Sequence, residues 1–462
     1  MDEHFSLTTR IARPASEVFA WHERPGALGR LCPPWEHVEV VAATGGVHDG
    51  ARVTVRNKMG PIWMEWRVEH RDYIAGRQFR DVQLSGPFAR WEHLHRVETD
   101  GPDACRLTDE IVYRLPLGGP GRFFRRGLSR AKLNQLFAWR HATTKADLEL
   151  APLTLQAAPR VVVIAGASGL IGGTLAPFLQ TQGHRVMRLV RRPARNADEI
   201  HWDPGAGVLD SARLDGVDAI INLSGENVGA GRWTEKRRQA IFGSRVDATR
   251  TLVTAMQRMK RKPAVLVGAS AVGFYGDRGA EILTEDSSIG QGFLSEVCLA
   301  WETHAEAARA VGVRTPVVRF GVVLSPAGGA LAKLLPVFKA GVGGPVGTGD
   351  QYMSWISIDD VVGAIYHAMV DETCTGPMNG VAPAPVTNRE FTSTLAKILH
   401  RPAVLPVPAV ALRLLFGEMA DGTLLASTRA LPNRLLAAGY RFRHPDLEVA
   451  LRHVLGRSSL KT

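Results

Sequence analysis

Seven residues, Gly166-Ala167-Ser168-Gly169-Leu170-Ile171-Gly172, follow the apolar run Val161–Ala165 and open a helical pattern. Glycines at these spacings permit a tight turn and a close backbone approach, and the start of a helix offers unpaired N–H groups to an anion. In this strand–turn–helix setting the stretch predicts a seat for a dinucleotide pyrophosphate at Gly166, Ser168, Gly169, Leu170, Ile171 and Gly172. The following strand ends in Arg191-Arg192, about 20 residues on, where an acidic side chain would hold ribose hydroxyls. Arg191 suits a 2′-phosphate instead, with Ser168 as a further donor, so the expected cofactor is NADP; the alternative is that Arg191 and Arg192 only solvate the strand end. Another strand, Ala219–Leu223, runs into Ser224-Gly225-Glu226. Small groups at Leu223, Ser224 and Gly225 leave room for a flat nicotinamide–ribose unit near the backbone. Glu226 falls at a strand's C-terminal end, where functional groups gather. Ala269, in the strand extension Gly268-Ala269, completes the expected cofactor-binding set.

The elements that position these residues change character along the chain. Residues 1–150 read as strand-rich, with alternating segments at 5–11, 37–42, 51–58, 62–70, 78–84, 90–98 and 105–113 and glycine- or proline-containing turns between them. A short helix is expected after Pro14, and a long one over 127–148 covers one face of the antiparallel strands. Residues 151–159 read as a linker. From 160 to 330 buried strands at 161–165, 186–190, 219–223, 264–267 and 315–319 alternate with helices at 170–182, 234–258 and 294–310, which predicts a doubly wound, mostly parallel α/β sheet. Residues 331–462 read as a smaller α/β lobe with helices at 361–370, 388–399 and 447–454.

Composition narrows the function. The chain has 462 residues, 45% hydrophobic and 22% charged, enough apolar matter for real cores and too much for general disorder. A formal charge of +11 comes without a basic tail or nucleic-acid motif, so no nucleic-acid partner is expected. No apolar run reaches the roughly 18 residues of a membrane span, and no signal-peptide pattern opens the chain, so a cytoplasmic location is expected. Cys32, Cys105, Cys298 and Cys374 lie far apart and show no redox or metal spacing. They read as reduced and structural, and no metal site is expected. Asp359 and Asp360 suit a helix start. Trp63, Trp66, Phe79, Phe88 and Trp91 load the first domain with aromatic groups that either pack its core or line an apolar cavity; His93 and His95, two apart on a strand, share one face. Arg122-Phe123-Phe124-Arg125-Arg126 is a basic, aromatic stretch before the long helix.

Several ordered stretches carry a family resemblance: Ile221-Asn222-Leu223-Ser224-Gly225-Glu226, Arg232-Trp233-Thr234, Gly243-Ser244-Arg245, Ser270-Ala271-Val272-Gly273-Phe274-Tyr275-Gly276, Arg319-Phe320-Gly321-Val322-Val323-Leu324 and Trp355-Ile356-Ser357-Ile358-Asp359-Asp360. From about 160 to 456 the chain resembles the epimerase-like branch of the extended short-chain dehydrogenase/reductases, its tail resembling their DUF1731 segment. Pro14–Phe19 and Gly86–His93, with the closing helix, make the N-terminal part resemble the SRPBCC or START-like superfamily, also called polyketide cyclase-like. That resemblance implies an α+β helix-grip domain in front of a Rossmann-type domain.

The dehydrogenase resemblance implies a Ser, a Tyr and a Lys acting on a hydroxyl or carbonyl beside the nicotinamide. Ser270 falls at the Ser position. The Tyr and Lys positions read Phe293 and Val297, which cannot move a proton. Tyr275 is the substitute candidate, with a substrate-wall or packing role as its alternative; Glu226, Glu296 and Cys298 are weaker ones. Two functions therefore stand open: an NADP-dependent oxidoreductase or epimerase of a small substrate, or a catalytically silent NADP-binding sensor or scaffold. In a variant of the first, the N-terminal domain captures a hydrophobic small molecule and presents it to the second domain. Oligomeric state is not legible.

Overall fold

The computed structural model describes residues 2–115, 130–150 and 158–457. They form two compact units. In the first, all seven expected strands are present: β1 (Glu3–Ile11), β2 (Val38–Thr44), β3 (Arg52–Met59), β4 (Ile62–Ile74), β5 (Gln78–Ser85), β6 (Arg90–Thr99) and β7 (Cys105–Arg114). They pair antiparallel in the order β1-β7-β6-β5-β4-β3-β2. The long helix, Arg130–Glu149, begins within the expected range; the basic stretch 122–126 and linker residues 151–157 lie outside the described residues.

Alternation along β7 turns Leu107, Asp109, Ile111 and Tyr113 inward. Leu133 and Phe137 of the long helix pack there with Phe5, Trp91, Ile111 and Tyr113. A neighbouring cluster joins Val18, Phe19 and Trp21 of the helix Ala15–Glu23 to Ile11, Phe79, Leu107 and Leu148. Pro14 stands at this helix's N-cap, just outside its first turn. Phe79 and Trp91 are buried, but Trp63 is 39% exposed and lines no interior. A buried ion pair ties the short helix Ala27–Arg30 to the long one: Arg30 donates from Nε and Nη2 to the two oxygens of Asp147, at 2.8 and 2.9 Å.

The second unit is built on β8 (Val161–Ala165), β9 (Arg185–Val190), β10 (Glu199–Asp203), β11 (Val208–Leu209), β12 (Ala219–Asn222) and β13 (Val265–Ala271). It continues through β14 (Ile282–Leu283), β15 (Pro316–Phe320), β16 (Val322–Leu324), β17 (Tyr352–Met353), β18 (Trp355–Ser357), β19 (Gly376–Gly380), β20 (Val386–Thr387) and β21 (Arg429–Ala430). The main sheet runs β11-β10-β9-β8-β12-β13-β15-β19, parallel except for β11. The strand order reverses between β8 and β12, which opens a crevice beyond their C-terminal ends. β10, β11 and β19 are additions to the expected strands. Gly376-Pro377-Met378-Asn379-Gly380 forms the sheet's edge, where a proline is tolerated. The segment after residue 331 thus contributes a strand to the main sheet. Its helix Asn388–Leu399 starts on a Thr387/Glu390 capping box. No helix among the described residues is long and apolar enough to cross a membrane.

Removing one partner of a buried ion pair strands the other charge, at a cost of about 3–5 kcal/mol. Asp147→Ala should lower the unfolding free energy of the first unit by that amount in urea titrations followed by tryptophan fluorescence; a change below about 1 kcal/mol would assign the pair no structural weight.

Candidate functional site

The turn after β8 is shaped by what its glycines leave out. Gly166 has φ +82, and a Cβ there would lie 2.7 Å from the carbonyl oxygen of Leu223 in the loop after β12. A Cβ on Gly172 would lie 2.7 Å from Ala167 Cα. The first glycine therefore joins two loops, and the last seats the helix Leu170–Thr181 against its own turn. A cleft of about 890 Å³ spreads from this point. Gly166, Ser168, Gly169, Arg191, Arg192, Leu223, Ser224, Gly225 and Glu226 line it. Leu170, Ile171 and Gly172 supply the helix start behind the turn, and Ala269 is buried inside β13 opposite Val318; none of these four is among the lining residues.

The two arginines after β9 have different fates. Arg192 donates to both oxygens of Glu199, at 2.7 and 2.5 Å, and the Arg195 N–H donates to Glu199 at 2.8 Å. These hydrogen bonds hold the Glu199 carboxyl down to about 2. Arg192 is thus committed to a structural pair. Arg191 is exposed, lines the cleft, and has no side-chain hydrogen bond or ion pair among the described residues. Across the cleft the loop after β12 is pinned from below. Asn222 Nδ2 donates to Thr249 Oγ1 at 2.9 Å and its Oδ1 accepts the Ser224 N–H at 3.2 Å. Arg245 donates to the Glu226 carbonyl at 3.1 Å, and Ser244 Oγ accepts the Glu226 N–H at 2.9 Å. The Glu226 carboxylate accepts from Arg237 at 2.9 Å. These residues and the glycine cradle fit a bound dinucleotide: an open backbone turn at a helix start, and two guanidinium groups without a side-chain partner among the described residues, Arg188 on β9 and Arg191 just after it.

A second polar group crosses the C-terminal ends of three adjacent strands. Ser270 on β13, Arg319 on β15 and Asn379 on β19 are register neighbours. Ser270 Oγ donates to Glu302 Oε1 at 2.6 Å. Arg319 donates to both Glu302 oxygens, at 2.8 and 2.7 Å, and to the Tyr275 hydroxyl at 3.0 Å. Tyr275 in turn donates to Asn379 Oδ1 at 2.8 Å. Tyr275 is fully buried, and Arg319 lies 3.5 Å from the ring centre of Phe274. Burial pushes the Tyr275 hydroxyl up despite the Arg319 guanidinium beside it. The hydroxyl is held inside the network rather than presented to a cleft. Sequence reasoning passed over Glu302; its signal was Arg319 itself, since a guanidinium in a strand buried on both faces requires a carboxylate.

Phe293 and Val297, at the Tyr and Lys positions, pack with Trp233, Ile241 and Met419. Glu296 is exposed. Asp359 and Asp360 open the helix Ile358–Val370, and Asp360 accepts the Arg443 and His444 N–H groups at 2.7 and 3.0 Å. All four cysteines are free.

In the first unit, His93 and His95 face inward, but into a polar cluster. Asp81, Asp109, His70 and His141 join them there. Burial opposes ionisation of both aspartates, but the surrounding imidazoles hold them well below the usual carboxylate range.

Comparison with known proteins places these units. Residues 162–377 match the NAD dependent epimerase/dehydratase family, residues 407–454 the domain of unknown function DUF1731, and residues 2–148 the family described as polyketide cyclase / dehydrase and lipid transport. An epimerase family protein of Mycobacterium bovis is 43% identical over 297 residues, 64% of this chain and 98% of that one. Epimerase family protein YfhF of Bacillus subtilis is 38% identical over 299 residues, 64% and 97% of the two chains. A crystal structure of a nucleoside-diphosphate sugar epimerase from Corynebacterium glutamicum is 33% identical, with a TM-score of 0.82 over 99% of this chain and 91% of that one. Human SDR39U1, solved with NADPH, is 35% identical with a TM-score of 0.59 over 64% of this chain and 99% of its own.

Burial pushes the Cys298 thiol up to about 11. Alkylation needs the thiolate, so at pH 8 iodoacetamide should modify Cys298 at least about 100-fold more slowly in the native chain than in urea. Rapid native labelling, read by peptide mass spectrometry, would restore it as a nucleophile candidate. Cys298 thus belongs to the packing around Ser270 and Tyr275, within a Rossmann-type sheet followed by DUF1731 and preceded by a polyketide cyclase-like domain: the chain is a member of the epimerase family.

Proposed function

We propose that the second unit is an NADP-dependent oxidoreductase or epimerase acting on a small hydroxyl or carbonyl substrate. The observation that carries the cofactor choice is the division of labour between the two arginines. Arg192 is consumed by Glu199, while Arg191 stands uncommitted beside the glycine turn. Human SDR39U1 with NADPH is a consistent relative. When bound, the nicotinamide supplies or accepts a hydride. The chain's own residues do the rest. Gly166 and the helix start seat the diphosphate, Arg191 and Ser168 take the 2′-phosphate, and the pinned loop 223–226 supports the ribose side. Ser270 is proposed as the group that meets the substrate oxygen. Its own proton is already directed to Glu302 at 2.6 Å, so its lone pairs remain to accept a hydrogen bond from a substrate hydroxyl. Tyr275 is assigned a positioning role, holding Arg319 and through it Glu302. The N-terminal unit is read as a module for a small, largely apolar ligand, following its polyketide cyclase and lipid transport match, and the free thiols accord with a cytoplasmic location.

The filled Tyr and Lys positions favour a second reading, in which the nucleotide is held without turnover as a signal or scaffold. Phe293 is packed against Trp233 and Arg238, and no proton donor replaces it there.

A charge-assisted contact to the 2′-phosphate is worth about 1.5–3 kcal/mol. Calorimetry should therefore show NADPH bound about 10–100-fold more tightly than NADH, and Arg191→Ala should remove most of that gap while leaving NADH affinity unchanged. Equal affinities in the unaltered chain would defeat the assignment. Reduction of NADP by any hydroxyl substrate, lost in Ser270→Ala, separates the enzyme from the silent reading.

A further inference from the structure

The cluster inside the first unit is not used by the nucleotide site. On the inward face of the sheet, Asp81 of β5 is the register partner of His93 on β6 and of His70 on β4, and His95 on β6 is the partner of Asp109 on β7. Three imidazole nitrogens close on the Asp81 carboxylate. His70 Nε2 is 2.8 Å from Oδ1, and His95 Nε2 and His93 Nδ1 are 3.2 and 3.6 Å from Oδ2. Behind them the opposite ring nitrogens of the same two histidines converge on one oxygen of Asp109: His93 Nε2 at 3.0 Å and His95 Nδ1 at 2.8 Å. The other Asp109 oxygen takes His141 Nε2 at 2.7 Å. His70, His93, Asp109 and His141 are all more than nine-tenths buried.

A carboxylate accepts hydrogen bonds and cannot donate them. Both histidines therefore place an N–H against Asp109, and their other ring nitrogens, His93 Nδ1 and His95 Nε2, face Asp81. Positive charge must stand between those nitrogens and the Asp81 carboxylate, either as second protons on the imidazoles or as a metal cation held by all three side chains. His70 does not relieve this. Its contact with Asp81 is short but not aligned as a hydrogen bond, and Asp81 Oδ1 and His70 Nδ1 are buried without a hydrogen-bond partner. Around a tetrahedral cation with bonds of about 2.0–2.1 Å, donor atoms lie about 3.3 Å apart. The 3.2 and 3.6 Å separations straddle that value, and the donors of Asp81, His93 and His95 all lie within 4.8 Å of one another.

We propose that Asp81, His93 and His95 bind a divalent first-row transition cation in the N-terminal unit, with Asp109 as the outer acceptor that fixes both imidazole tautomers. Two imidazoles and one carboxylate favour zinc, cobalt or ferrous iron over magnesium or calcium, which prefer all-oxygen shells. Three protein ligands leave a coordination position open, so the cation would hold an oxygen of the ligand bound by this domain. The proposal departs from the sequence expectation of no metal site: Asp81 and Asp109 lie far from His93 in sequence, and antiparallel register brings them together. The proposal is independent of the nucleotide assignment.

The test uses the full chain, stripped with chelator and titrated with Co2+. One equivalent should bind with visible ligand-field bands and be displaced by Zn2+. The His93→Asn/His95→Asn double variant, with unchanged far-UV circular dichroism, should lose the bands. Asp109→Asn should weaken binding by about 10–100-fold. Retention of no Co2+ by the unaltered chain would overturn the proposal and leave the cluster held by protons, and undiminished bands in the double variant would overturn it by placing the cation elsewhere. If the double variant fails to fold, imidazole 15N shifts of the Zn2+-loaded unaltered chain decide. Coordination through His93 Nδ1 and His95 Nε2 supports the site, and a proton on either of those nitrogens refutes it.

Discussion

The nucleotide cleft depends on the space a side chain at Gly166 would fill. The Leu223 carbonyl occupies it, so the turn after β8 and the loop after β12 meet where the strand order reverses. That meeting is what makes the crevice continuous from the glycine turn to Ser224 and Glu226. The loop is fixed before any ligand arrives, because Asn222, Ser244 and Arg245 each hold its backbone. A site supported in this way needs little ordering when it binds. Gly225 is part of the same economy of space, since a Cβ there would lie 3.1 Å from the Arg245 guanidinium carbon.

The catalytic question turns on a different constraint, the burial of charge. Arg319 in a central strand is satisfied by two Glu302 oxygens, the Tyr275 hydroxyl and the face of Phe274. Ser270 shares Glu302 with it. This arrangement orders the ends of β13, β15 and β19 without the Tyr–Lys pair usual in the wider group. It also explains why Tyr275, although it sits in the loop after Ser270, is drawn inward: its hydroxyl links the guanidinium to Asn379.

Much of this was legible in sequence where local pattern and local chemistry agree. The seven strands of the first unit follow from alternation and turn residues, and the helix Asn388–Leu399 follows from its cap. The glycine turn was legible because its chemistry is contained in seven consecutive residues. Arg191 was legible as the phosphate candidate, but the commitment of Arg192 was not, because Glu199 lies on β10, a strand that carries too few apolar residues to announce itself. Glu302 and the two aspartates of the first unit were missed because each acts through a partner distant in sequence. A signal for the aspartates did exist. Asp109 shares the parity of Leu107, Ile111 and Tyr113, and Asp81 that of Phe79, so both are acids at core-facing positions of a period-two pattern. Such positions demand a buried basic partner.

Both units set an acid against basic side chains of a sheet: Glu302, on the helix Phe293–Glu306, meets Arg319 of β15, whereas Asp81 and Asp109 meet histidines on neighbouring strands in register. The choice of base decides what each solution can do. Arg319 keeps its charge at every accessible pH, so the Glu302 network is fixed and serves to hold Ser270 in place. Imidazoles carry a removable proton and present a lone pair when they lose it. The cluster around Asp81 and Asp109 can therefore exchange what balances its charge, whereas the network around Glu302 cannot. A position that needed rigidity alone would be served by the guanidinium solution, as Arg30 and Asp147 show within the same unit. The four histidines around Asp81 and Asp109 instead give the same unit a group whose balancing charge can change.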